Sequence, residues 1–309
     1  MYKKGVINLI EINGVSKKFE DIDALSNITL SIKENAIFGL LGSNGAGKST
    51  LMRIISGVIK ADEGTVFLEG QPIYENINSK KKIFYISDEQ YFIKNSTPKD
   101  IMSYYRAIYK NFSVKRFEKL MDDFNLDSRR KIDTFSKGMK KQVSVILGLS
   151  SGTQYLLCDE TFDGLDPVAR QAVKELLILD MKNRGLTPII ASHNLRELED
   201  ICDHVGLLHR GGVLLSKDLV EMKLELQKIQ CIFNKDMVSE DFISMGIKVA
   251  KIDRRGSLYT LVVKGSHKDM IEKISEMKPL FYEVLPLSLE EIFITETEVA
   301  GYDIKSVVF

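Results

Sequence analysis

Nine consecutive residues, Gly42-Ser43-Asn44-Gly45-Ala46-Gly47-Lys48-Ser49-Thr50, have the composition and spacing of a loop that cradles phosphate. Glycines let successive backbone N–H groups turn inward toward phosphate oxygens, and the positive end of a following helix dipole adds to the attraction. The Lys48 ammonium is placed to reach the β- and γ-phosphates of a nucleoside triphosphate, and the Ser49 hydroxyl to ligate magnesium. Much further along, the apolar run YLLC ends in Asp159 and Glu160. An aspartate at the end of a buried strand can hold the water shell of magnesium, and the adjacent glutamate can polarise an attacking water. Together these groups point to phosphoryl transfer to water.

Such chemistry requires a strand before the loop and a helix after it. AIFGLLG supplies an apolar run bounded by glycines, and LMRIISGVI carries apolar residues at helical spacing. Upstream, VINLIEI and ITLSI read as strands on either side of the polar stretch GVSKKFEDIDAL. From Thr97 the pattern turns helical: Pro98 follows a capping threonine, and IMSYYRAIY and VKRFEKLMDDF have apolar faces. We take residues 97–150 as a helical insertion. Beyond it YLLCDE and TPIIASH read as buried strands separated by a helix that Gly185 closes, which implies a parallel core. A helix and a hairpin about Gly211 and Gly212 end this domain. The fold class is α/β, a P-loop nucleotide-binding core over residues 1–217. Residues 218–309 form a small α+β accessory domain, with two strands joined at Arg255 and Gly256 and helices at KDMIEKISEM and SLEEIFITET.

Composition narrows the class further. The 309 residues are 44% hydrophobic and 28% charged, which excludes disorder, and Lys plus Arg equal Asp plus Glu at 43 each, so no global field draws the chain to nucleic acid. Cys158, Cys202 and Cys231 are odd in number and lack metal-site spacing, which fits a reducing cytosol. No run is long enough to span a bilayer, and the N-terminus reads as a strand rather than a cleaved leader.

The phosphate loop, then Phe135-Ser136-Lys137-Gly138-Met139-Lys140-Lys141-Gln142, then YLLCDETFDGLDP, then SHN resembles the ordered motif set of ABC transporter ATP-binding subunits. The resemblance covers residues 7 to 216. It implies ATP and Mg²⁺ as ligands and a head-to-tail dimer, with a like or related ATP-binding subunit, in which two ATP molecules are sandwiched. Ser136, Lys137 and Gly138 would then open a helix onto the γ-phosphate held by the opposite subunit. Asp166 would belong to the loop through which the subunits sense each other. His193 would touch the γ-phosphate and position water, and Phe19 would stack on adenine. The resemblance further implies a membrane-spanning permease partner and a cytoplasmic position on the inner face of the membrane. The segment SLEEIFITETE resembles the drug-, antibiotic- or peptide-exporting branch.

Three positions depart from the family pattern. Lys137 replaces the first of two signature glycines and Thr161 a proline after the glutamate. In KKIFYISDEQYF, Asp88 stands where the resemblance places a magnesium-ligating glutamine, with Gln90 two residues later; Asp88, a hard oxygen donor with a shorter side chain, is expected as the magnesium ligand in preference to Gln90. Two other functions compete: a soluble ATPase of this type acting on ribosomes or nucleic acid, and a module that binds ATP without turnover. One phosphate loop and no sustained heptads count against the former, and the presence of Asp159, Glu160 and His193 against the latter.

Overall fold

Alternation of apolar and polar residues builds the first sheet. β1 (Asn8–Phe19) and β2 (Ile22–Lys33) form one long antiparallel hairpin. The stretch read as a polar connection is thus strand on both sides of a turn at Glu20 and Asp21; its charged side chains lie on the exposed face while Val15 and Leu25 are buried. The computed structural model describes residues 8–299, so Val6 and Ile7 of the expected first strand lie outside the described residues.

β3 (Phe38–Leu41) is wholly buried and leads through the phosphate loop into α1 (Lys48–Ile55), which buries Leu51, Met52, Ile54 and Ile55. β4 (Glu63–Leu68) pairs antiparallel with β1, and β5 (Gln71–Pro72) with β4, giving a four-stranded sheet in the order β2-β1-β4-β5. After α2 (Ile77–Lys80) and β6 (Ile83–Ile86) the chain enters its helical stretch. α3 (Pro98–Ile108) begins in a reciprocal capping box between Thr97 and Asp100, with Pro98 in the first turn. α4 (Val114–Asp123) is capped by Ser113, and α5 (Lys137–Ser150) by Ser136.

β7 (Tyr155–Asp159) is buried at every position. α6 (Pro167–Arg184) opens on Asp166, whose Oδ1 accepts from the Val168 and Ala169 N–H groups, and closes on Gly185 at φ 69°. β8 (Thr187–Ser192), also buried throughout, α7 (Leu195–Glu199), β9 (His204–His209) and β10 (Gly212–Asp218) complete this part. Positive φ at both Arg210 and Gly211 makes the two-residue link between β9 and β10, one residue earlier than the glycine pair suggested. The second sheet runs β10-β9-β3-β8-β7-β6, with parallel pairing from β9 through β6. Burial on both faces explains the unbroken apolar runs of β3, β7 and β8. β3 and β7 deliver their C-terminal ends, and so the phosphate loop and Asp159, to the same edge, with β8 between them.

The chain divides into one unit ending at Ser216 and another beginning at Lys217. The second contains α8 (Leu219–Glu225), β11 (Leu226–Ile232), α9 (Ser239–Ser244), β12 (Lys248–Arg255), β13 (Leu258–Lys264), α10 (His267–Glu276), β14 (Phe281–Leu285) and α11 (Leu289–Val299). Its sheet is antiparallel in the order β12-β13-β11-β14, the split βαβ arrangement of ferredoxin-like domains. Sequence alternation and the intervening turn make β12 and β13 legible; β11 and β14 pair with strands remote in sequence, and β14 is only five residues long. Ile229, Cys231, Tyr259, Leu261 and Val263 share one face with Phe242, Met270 and Ile274 as this unit's core.

Candidate functional site

Two glycines of the phosphate loop, Gly42 and Gly47, leave no room for a side chain. Gly47 caps α1 at φ 101°, and a Cβ there would stand 2.5 Å from the Ala24 carbonyl oxygen. Ser43, Asn44 and Gly45 are exposed, Ser49 and Thr50 are half-buried, and Gly42 and Ala46 are buried. The Lys48 side chain folds back under the loop, where Nζ donates to the Gly42 and Ser43 carbonyls at 2.7 and 3.2 Å. An exposed loop at the N-terminus of α1 above a buried ammonium fits a phosphate anion.

Glu160 is the hub of the site. Its Oε1 is 3.0 Å from Lys48 Nζ and its Oε2 is 2.9 Å from His193 Nδ1, so the single carboxylate links the phosphate loop to the end of β8. Glu160 itself adopts φ 45°, a left-handed conformation uncommon outside glycine. Its N–H donates to the Ala191 carbonyl at 3.0 Å, and its carbonyl accepts from the Lys141 ammonium. The site therefore brings together Lys48, Glu160 and His193, which lie far apart in the sequence. Asp163 also converges: with Glu160 and His193 it has ligating atoms within 4.8 Å of one another.

Asp159 is buried and asymmetric. Oδ2 accepts from the Tyr85 hydroxyl at 3.0 Å, while Oδ1 has no hydrogen-bond partner. Burial holds its carboxyl above the usual carboxylate range, opposed by the nearby Ser49 and Tyr85 hydroxyls and reinforced by the charges of Glu160 and Asp88. In turn, burial and the Asp159 charge push the Tyr85 phenol well above its ordinary value. A buried carboxylate oxygen left bare beside a serine hydroxyl is a hard-oxygen donor set that fits magnesium.

Asp88 is turned toward α5: its Oδ1 pairs with Lys141 Nζ at 3.2 Å. Gln90 folds back, donating to the Ser87 and Asp88 carbonyls at 2.9 Å each. At the head of α5, Ser136 and Lys137 are exposed, and Ser136 Oγ accepts from the Met139 N–H at 3.2 Å. Gly138 packs so closely on the next loop that a Cβ would lie 2.7 Å from the Gly164 carbonyl oxygen. The signature tip and the Gly164-Leu165-Asp166 loop therefore form one surface, while among the described residues no hydrogen bond joins Ser136 to the phosphate loop of its own chain. Phe19 lies at the hairpin turn, 44% exposed, with Lys17 Nζ 5.4 Å from its ring centroid. An exposed aromatic there offers a stacking face.

Lys141, Tyr85 and Asp163 were not singled out by their sequence. Lys141 did carry a signal: it stands at helical spacing with Val145 and Gly148 on a buried stripe of α5, where a charge is costly unless matched. For Asp163 and Tyr85 no such signal exists.

A strand, phosphate loop and helix, with an aspartate and glutamate ending a neighbouring parallel strand, define a P-loop nucleoside triphosphatase. A family model described as ABC transporter matches residues 25–163. The chain belongs to the ATP-binding proteins of ABC transporters and is an ATPase. It is 33% identical to the ABC transporter ATP-binding protein YtrB of Bacillus subtilis over 291 residues, 93% of this chain and 98% of that protein, a span that reaches into the second unit. The lantibiotic transport ATP-binding protein SrtF of Streptococcus pyogenes is 30% identical over 231 residues, 74% of this chain and 99% of that one. A solved ATP-binding subunit of an ABC transporter superposes with a TM-score of 0.64 at 25% identity, covering 70% of this chain and 92% of its own.

Proposed function

We propose that this chain closes head to tail with a second copy or a related subunit on two ATP molecules, and that hydrolysis drives export through a membrane-spanning permease. The observation that carries the reading is the Glu160 carboxylate shared between Lys48 and His193. This carboxylate pairs with the same ammonium that a triphosphate needs. Phosphate oxygens displace it from Lys48, and Glu160 is then free to accept a proton from the attacking water. His193 keeps the carboxylate oriented through Nδ1. The Gly42–Thr50 amides cradle the phosphates, and Phe19 stacks on the adenine. Magnesium, when held by Ser49 and Asp159, neutralises charge on the phosphates. The exposed Ser136 tip, with Lys137, Gly138 and Asp166 beside it, serves the nucleotide of the opposite subunit.

The permease seats around the Asp88 loop. Tyr91 is 90% exposed, Ile93 57% and Tyr104 56%, flanking a cleft lined by Phe84, Gln90, Phe92 and Tyr105. Such apolar exposure marks a contact surface. Among the described residues no helix is long and apolar enough to cross a membrane. Held by the permease, the chain sits peripherally on the cytoplasmic side, where ATP is supplied. Export is supported by the SLEEIFITETE segment, which begins α11, and by the likeness to a lantibiotic transport protein.

The test is to recover the chain from membranes with its co-purifying partner and reconstitute both in vesicles whose ATP is supplied outside. Solute accumulating in the lumen on ATP addition is the expected result. ATP-driven loss from the lumen would reverse the direction, and recovery with ribosomes or nucleic acid instead of a membrane protein would overturn the permease partner.

A further inference from the structure

Lys141 is fully buried on α5, yet the hydrolytic scheme above does not use it. An ammonium removed from water persists only where charge and donors are matched. Here Nζ meets two acceptors: the Glu160 carbonyl and, at 3.2 Å, Asp88 Oδ1. The first is the peptide of the residue at φ 45°, whose N–H is already anchored to the Ala191 carbonyl. Both ends of the Glu160 residue are thereby tied, one to β8 and one to α5, which over-determines a conformation that a non-glycine residue would otherwise leave. The second acceptor belongs to the segment after β6 that leads to the exposed Tyr91, and the Asp88 side chain is itself 46% exposed.

We propose that Lys141 is a positioning residue that holds the Glu160 backbone in its left-handed conformation and ties it to Asp88, so that displacement of the Asp88 loop changes the rate of hydrolysis without changing nucleotide affinity. The inference rests on Glu160 acting as the base. A contact pressing on the Tyr91 surface draws Asp88 off Lys141 and leaves the ammonium with one acceptor. The Glu160 peptide is then less firmly held, while its carboxylate keeps its charge beside Lys48 and Lys48 keeps its bonds to the phosphate-loop carbonyls, so nucleotide affinity changes little. α5 also carries Ser136 at its head, so the same helix joins the surface offered to the opposite subunit to the base of its own site.

The test uses the purified full chain with Lys141→Met, Lys141→Arg, Asp88→Asn and the Lys141→Met/Asp88→Asn double variant. Steady-state phosphate release gives kcat and KM, and a fluorescent ATP analogue gives Kd independently. Lys141→Met is expected to lower kcat at least about tenfold with Kd and KM within about twofold, the split of a group acting only after binding. Lys141→Arg recovers most of that loss. Asp88→Asn lowers kcat about three- to tenfold, and the double variant is no slower than Lys141→Met alone, the non-additivity of one coupled unit. Losses that multiply in the double variant, or a Kd that moves in step with the rate, overturn the proposal. So does a loss in Asp88→Asn that excess magnesium restores, since it assigns Asp88 to the metal. If Lys141→Met fails to fold, the half-exposed Asp88 carries the test, and Asp88→Asn with unchanged kcat overturns it. Glu160→Gln separates the two levels: turnover at the wild-type rate sinks Glu160 as the base, whereas an inactive Glu160→Gln beside a fully active Lys141→Met sinks only the role of Lys141.

Discussion

Glu160→Gln should bind nucleotide more tightly while losing turnover. Lys48 Nζ lies 3.0 Å from Glu160 Oε1, with both side chains more than nine-tenths buried. The outer phosphates of ATP compete with that carboxylate for one ammonium. A hydrogen bond to a charged partner contributes about 1.5–3 kcal/mol and a neutral one about 1 kcal/mol. Exchanging the carboxylate for an amide therefore removes about 0.5–2 kcal/mol of competition, a gain in affinity of about 2- to 30-fold. Loss of repulsion between Glu160 and the phosphates acts in the same direction. Hydrolysis moves the opposite way, because a positioned general base contributes roughly 10²- to 10⁴-fold. Affinity is measured by competing ATP against a fluorescent analogue with magnesium chelated, so that wild type and variant are compared without turnover. Phosphate release is then followed with magnesium restored. His193→Ala is the control, since His193 meets the other carboxylate oxygen and does not hold Lys48: it lowers turnover without tightening binding. An affinity that is unchanged or weaker in Glu160→Gln would refute the competition for Lys48, and turnover within tenfold of wild type would refute Glu160 as the base.

Asp159→Asn should stabilise the free protein and abolish magnesium-dependent hydrolysis. Burial raises the Asp159 carboxyl above its unfolded value, so its ionisation opposes folding: the penalty is absent in acid, grows as pH rises through the unfolded value and is complete once pH exceeds the raised folded value. The melting temperature at pH 7 is expected to be higher in the variant than in wild type, with no gain below the ordinary carboxylate range; a lower melting temperature at neutrality contradicts this. Gly138→Val places side-chain atoms against the Gly164 carbonyl, where a Cβ alone would already be at 2.7 Å. It should cut ATP-driven dimerisation and phosphate release more than about tenfold, 1.4 kcal/mol, while the single chain keeps its nucleotide affinity; normal dimerisation on light scattering would show that the two loops do not form the contact surface.

Legibility followed the distance along the chain over which each feature is made. The phosphate loop and its flanking strand and helix are contiguous, and their glycines and apolar spacing announce them. So do the caps: Thr97, Ser136, Asp166 and Gly185 act within a turn or two of themselves, whereas the return bond from Asp100 to Thr97 was seen only in the structure. The Glu20–Asp21 turn was less visible, because the long hairpin of β1 and β2 exposes one face and its charged residues look like a loop when no partner is in view. In the second unit, β11 and β14 escaped notice for a related reason. β14 is mostly exposed, and what makes it a strand is pairing with β11, about fifty residues away in sequence.

Residue types and their local spacing were sufficient to determine that the chain binds a triphosphate on a strand-loop-helix, that Asp159 and Glu160 end a buried strand, and that α5 begins at a serine cap, since each depends on neighbours in the chain. Tertiary structure alone decided which carboxylate oxygen meets Lys48 and which His193, that Asp88 faces Lys141, and that Gly138 abuts Gly164. Those contacts cross between strands and helices whose order in the sheet differs from their order in the chain. Hydrogen bonds and charge pairs reach only a few ångströms, so sequence distance carries no information about them until the sheet has brought the ends of β3, β7 and β8 to one edge.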